Sequence, residues 1–155
     1  MDLEQREVSI PTAREMVTIG AGILIDVRQG FELELEGHIP GAVHVPLFTF
    51  KHSLGKPLDP DEQEMLDAEE PDRKNAALFV MDLNKLYFAK ERPCFLCLCN
   101  SGRRSLYAAR LLGDLGYAHS YSVKGGWRDW RSPDFAAPEF LPAGAIGLRE
   151  PAIPA

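Results

Sequence analysis

Ala108, Leu111, Leu112 and Leu115 recur at intervals of three and four residues, the spacing that lines one face of an α-helix, and Gly116 stands where a left-handed residue ends one. The pattern predicts a helix beginning near Arg104 and Ser105. Two short apolar runs lack such a period. Ile23-Leu24-Ile25, closed by Asp26, and Cys94 to Leu98, opened by Pro93, read as buried strands. Ala42 to Pro46 reads as a shorter strand behind the Pro40-Gly41 turn. Tyr121 and Val123, alternating with Ser120 and Ser122, give another ahead of Gly125-Gly126.

Other helices are marked by their ends. Thr12 precedes Glu15 by the spacing of a capping box, which places a helix start there. Asp59-Pro60-Asp61-Glu62 sets a capping acid before a proline of the first turn and predicts a helix over Pro60 to Glu69. Ala76 to Phe88 is apolar without a clean period, and its length favours a helix. Strands alternating with helices point to a parallel α/β sheet. The 155 residues fit one domain. After Trp130 the prolines at 133, 138, 142, 151 and 154 prevent any sustained helix. The expected division is a folded domain over 1–135 and a Pro/Ala-rich C-terminal tail over 136–155. No internal repeat or low-complexity tract is evident.

Charge and cysteine usage narrow the classes. A net charge of −6 argues against a phosphate-backbone partner, so no nucleic acid is expected. Met1 to Arg6 is polar, without the basic and apolar blocks of a secretory signal, and no apolar run approaches the roughly 20 residues that span a bilayer. A soluble protein with no membrane partner is expected. Cys94, Cys97 and Cys99 crowd into one segment, which suits free thiols in a reducing, cytoplasmic setting better than a disulfide framework.

The chemistry concentrates at Cys99. It follows a strand and precedes the loop Asn100-Ser101-Gly102-Arg103-Arg104-Ser105 and a helix start. Ligands of open α/β sheets bind at that edge. Backbone amides of such a loop, with Arg103 and Arg104 beside them, stabilise an anion and favour a thiolate nucleophile. A lone cysteine is more often a small buried hydrophobe. Two arginines directly after a glycine turn argue for a reactive thiol exposed at the sheet edge.

Cys99 to Ser105 resembles the active-site loop of the rhodanese family, a cysteine, four residues and an arginine, then serine at the helix start. Ile25-Asp26-Val27-Arg28, Gly37 to Pro46, and Lys124-Gly125-Gly126-Trp127-Arg128-Asp129-Trp130 are similar to the family's other signatures, in the family's order. The resemblance covers most of Ile23 to Trp130. It implies a doubly wound α/β fold, a parallel sheet flanked by helices, in a single domain. It further implies a sulfurtransferase in which Cys99 takes sulfane sulfur from a donor such as thiosulfate and passes the persulfide sulfur to cyanide or a thiol. A protein sulfur carrier is a further candidate partner. Asn100, Ser101, Gly102, Arg103, Arg104 and Ser105 are then the donor-binding residues, with Arg103 or Arg104 on the anion. No metal or cofactor is implied. The related fold of arsenate reductases and the cell-cycle dual-specificity phosphatases carries five residues before its arginine, a wider cradle than the four here. The rival readings are a binding or regulatory module of the same fold without turnover and, behind it, a phosphatase or arsenate reductase.

The remaining polar residues have plainer expected roles. Cys94 and Cys97, in C-x-x-C spacing, lack the further ligands zinc needs, and a strand aims them to opposite faces. Asp26 and Arg28 suit a structural ion pair, His38 and His44 hydrogen-bonded structural positions, and Trp127 and Trp130 core packing. The stretch from Arg28 to His38 is slightly longer than is usual in the family, and Leu47 to Pro93 is longer than a minimal domain requires. The acidic run Glu32, Glu34 and Glu36 reads as a solvated loop.

Overall fold

The computed structural model describes residues 6–69, 74–89 and 93–131. The expected tail at 136–155 and the domain boundary at 135 lie outside them. Five parallel strands, β1 (Glu7–Val8), β2 (Gly22–Asp26), β3 (Val43–His44), β4 (Cys94–Leu98) and β5 (Ser120–Val123), form one sheet in the order β1-β5-β4-β2-β3. The chain moves outward from β2 to β3, then returns to the centre as β4. A crevice at the carboxyl ends of the strands follows from that reversal.

Helices cover both faces, as a doubly wound sheet requires. On one side α1 (Ile10–Thr18) and α7 (Gly126–Trp130) pack on Leu24, Leu96, Leu98 and Val123. On the other, α3 (Leu47–Ser53), α5 (Ala76–Tyr87) and α6 (Arg103–Asp114) enclose Ile25, Phe95, Cys97 and Cys99. Alternation along β4 therefore sends Cys94 to one face and Cys97 to the other, as expected of a strand.

The parallel α/β architecture follows the sequence reading, with local corrections. The first helix starts one turn earlier than the Thr12–Glu15 pair indicates. Ser9 is its cap, accepting from the Thr12 amide at 3.3 Å, and Pro11 is tolerated in the first turn. Residues 30–36 are a helix, α2 (Gly30–Glu36), rather than a solvated loop, because the Glu32 carboxylate turns back to accept from the Gln29 amide at 2.9 Å. The expected helices over 60–69 and 76–88 are found as α4 (Pro60–Asp67) and α5. The Asp59 cap accepts from the Glu62 amide at 2.8 Å.

Asp26 and Arg28 form the anticipated structural pair at 2.8 Å, with Arg28 completely buried. Its guanidinium also reaches Glu36 and the Gly37 carbonyl and lies 4.8 Å over the Trp127 ring. The carbonyl of Arg28 accepts from His44 Nε2 at 2.7 Å, while His38 is exposed. One buried cation thus joins the end of β2, the end of α2 and the start of α7.

Candidate active site

Cys99 is the first residue past the central strand, and the chain beyond it is bent by Gly102, whose φ of +105° suits glycine. The turn brings the first residues of α6 back over the sulfur. The Gly102 amide donates to Sγ at 3.1 Å and the Ser105 amide at 3.3 Å. A helix N-terminus carries partial positive charge, so both donors and the helix field favour an anion at this atom.

The opposite wall comes from α7. Trp127 donates its amide to the Cys99 carbonyl at 2.7 Å and Arg128 donates to the Asn100 carbonyl at 3.1 Å. Gly126 lies flat against that peptide, leaving no room for a Cβ. Two left-handed glycines, Gly125 and Gly126, are what let α7 start this close.

A hydroxyl ladder lies beneath the sulfur. Ser105 Oγ is 3.4 Å from Cys99 Sγ and 2.7 Å from Ser122 Oγ, and Ser122 Oγ also reaches the Gly102 carbonyl. Both serines are fully buried. A hydroxyl both donates and accepts, so the ladder accommodates a thiol donating toward Ser105 or a thiolate accepting from it. The neighbouring Cys97 thiol is pushed up by burial and by Cys99 beside it, which keeps it protonated at neutral pH.

One sequence expectation is corrected here. Cys99 is fully buried rather than exposed at the sheet edge, because α6 and α7 both close on the strand end. The arginines also divide. Arg104 points to α2, where its two terminal nitrogens meet the two oxygens of Glu32 at 2.7 Å each. Arg103 is exposed and has no hydrogen-bond or ion-pair partner among the described residues. Ser101 is exposed as well, and Asn100 reaches Glu36 at 3.5 Å.

Sequence reasoning missed Glu32, Ser122 and the backbone role of Gly126. Glu32 carried a signal, as the acid three residues past a potential cap. Ser122 carried another, as a serine aligned with buried strand positions. Burial pushes the Glu32 carboxyl up, but the hydrogen bonds from Arg104 and Gln29 and the charges of Arg104 and Arg28 outweigh it and hold the group below the usual carboxylate range. A carboxyl with a depressed folded pKa stabilises above its unfolded value, about 4.3, and loses that contribution as pH falls through the folded value. The stability difference between wild type and Glu32→Gln should therefore be greatest at neutral pH and shrink below about pH 4.3. Urea unfolding across that range measures it.

The arrangement of strand end, cradled sulfur and glycine-started α7 coincides with a family match over residues 9–133 to the Rhodanese-like domain. The chain belongs to that family. Among rhodanese-like relatives, a human thiosulfate:glutathione sulfurtransferase is 29% identical over 124 residues, covering 79% of this chain and 90% of the relative. A putative sulfur carrier protein of Bacillus subtilis is 30% identical over 125 residues, 80% of this chain and half of its own length. The solved human single-domain sulfurtransferase superposes with a TM-score of 0.52 at 26% identity, covering 81% of this chain and 94% of that one. A Rhodopseudomonas palustris structure described as a possible tyrosine phosphatase matches with the same TM-score at 23% identity, a likeness of fold alone. Kinship with sulfurtransferases supports a transferase of the rhodanese type. No helix among the described residues is long and apolar enough to cross a membrane.

Proposed function

We propose that this chain moves sulfane sulfur from an anionic donor such as thiosulfate to a thiol or cyanide through a persulfide on Cys99. The observation that carries the reading is the pair of amides from Gly102 and Ser105 converging on Sγ at the start of α6. The human thiosulfate:glutathione sulfurtransferase supports thiosulfate as donor and glutathione as the model thiol. The B. subtilis relative supports a protein sulfur carrier as partner. Three free cysteines accord with a reducing, cytoplasmic setting.

In the first step the Cys99 thiolate attacks the outer sulfur of thiosulfate. The new S–S bond forms as the old one breaks, and sulfite leaves with that bonding pair. The persulfide anion is held by the loop donors. An acceptor thiolate or cyanide then attacks the terminal sulfur, and Cys99 departs as thiolate, giving a new persulfide or thiocyanate. No net oxidation occurs. Because Sγ is enclosed, the proposal includes a small outward displacement of Asn100 to Gly102 that admits the donor.

A second reading, a non-turnover module of the same fold, is favoured by that same enclosure of Cys99. Turnover separates the two. Wild type supplied with thiosulfate and cyanide should form thiocyanate, and Cys99→Ser should form none above the uncatalysed rate. Equal rates for the two proteins would favour the module.

A further inference from the structure

Between β3 and β4 the chain makes an excursion through α3, α4 and α5, and α4 lies on the surface with no buried residue of its own. Just past it, Glu69 commits both carboxylate oxygens to the start of α2. Oε1 accepts from Gln29 Nε2 at 2.9 Å, and Oε2 accepts from the Phe31 amide at 2.9 Å. The Phe31 amide belongs to the first turn, where a helix offers its own amides no internal partner. Gln29 carries the constraint inward. The residue is completely buried, its Oε1 accepts from the Phe48 amide at 2.9 Å, and apart from Glu69 its Nε2 has only Thr49 Oγ1, at 3.4 Å, among the described residues. Its backbone amide donates to Glu32 Oε1 at 2.9 Å, the same oxygen that accepts from Arg104. Arg104, with its guanidinium 5.7 Å over the Phe48 ring, stands in the first turn of α6 between Gly102 and Ser105, whose amides hold Sγ. Without Glu69 a buried amide donor must move to find another acceptor, since leaving it unpaired costs free energy. Gln29 can move only by dragging Glu32 and Phe48, the two supports of Arg104.

We infer that Glu69 is a positioning residue for the Cys99 cradle, acting through Gln29 and Glu32 on Arg104. The stretch that carries α4, outside every segment that resembles the family's signatures, thereby helps to set the geometry of the site. This role rests on the sulfurtransferase reading only for the reaction that the cradle serves.

The test is amide hydrogen exchange of the intact protein without thiosulfate, resolved into a loop peptide over residues 102–106 and a strand peptide over residues 95–98. A general loss of stability speeds both, whereas release of the cradle speeds the first alone. Glu69→Ala should raise exchange in the loop peptide by about tenfold, the scale of one hydrogen bond to a charged group, and leave the strand peptide at the wild-type rate. Glu69→Gln, which keeps one accepting oxygen for two donors, should give a smaller rise in the same direction. Glu64→Ala, the loss of an exposed acid on α4, should change neither peptide. Arg104→Ala should also speed the loop peptide, and adding Glu69→Ala to it should bring no further rise, because the two residues act in one chain. Thiocyanate formation by Glu69→Ala should fall by the same factor as its loop exchange rises. An unchanged loop peptide in Glu69→Ala, an equal rise in both peptides, full additivity with Arg104→Ala, or undiminished turnover beside a loosened loop would overturn the inference. If exchange behaves as stated while wild type takes no sulfur from thiosulfate, the donor reading fails and Glu69 keeps its role in the cradle.

Discussion

Gly126→Ala is expected to lower stability by about 3 kcal/mol and to abolish sulfur loading, since overpacking and a left-handed non-glycine residue each cost on the order of 1–3 kcal/mol. Gly126 has φ +61°, and a Cβ there would press on the Cys99 carbonyl oxygen and lie 2.8 Å from Asn100 O. Those atoms are backbone and belong to the active loop itself. Relief must therefore come from moving the peptide whose carbonyls accept from Trp127 and Arg128, and the sulfur cradle moves with it. Urea unfolding reads the first effect and thiocyanate formation the second. A variant of wild-type stability and turnover would show that α7 does not set the loop.

Asp26→Ala is expected to be the costliest substitution of a polar residue, about 3–5 kcal/mol, because removing one partner of a buried pair leaves the other charge uncompensated. Arg28 has no exposed surface, and Asp26 supplies both carboxylate oxygens to it and accepts from its amide as well. Glu36 at 3.3 Å, with 36% of its side chain exposed, is a poor substitute. Because the same guanidinium stacks on Trp127, the loss should reach α7 and slow sulfur transfer beyond what unfolding explains. Removing Asp82 from its exposed pair with Lys74 should shift the urea midpoint far less.

Legibility in the sequence tracked how local the determining physics is. Cys94 to Leu98 was recoverable to the residue because an apolar run bounded by proline and a turn admits few alternatives. The α6 helix was clear from its periodic face and Gly116. The α2 helix was hidden because its pattern of alternating Glu and Leu suits a strand or solvent as well as a helix, and contacts from distant residues reinforce the local Glu32 cap. Glu69 caps the helix start by accepting from the Phe31 amide at 2.9 Å, and Arg104 holds Glu32 from 72 residues away. The site shows the same division. Cys99 and its loop were legible as a contiguous motif, whereas the burial of the sulfur, the pairing of Arg104 and the serine beneath depend on how α2, β5 and α7 close around it.

In the proposed mechanism the transferred sulfur resides on Cys99 within the amide cradle. Its most direct measurement is the mass of the Cys94–Arg103 peptide region after the intact protein is incubated with thiosulfate, before and after addition of cyanide. A gain of one sulfur atom is expected at Cys99, removed by cyanide and absent from Cys99→Ser. Sulfur found on Cys94 or Cys97 instead, or no gain at any cysteine, would contradict it.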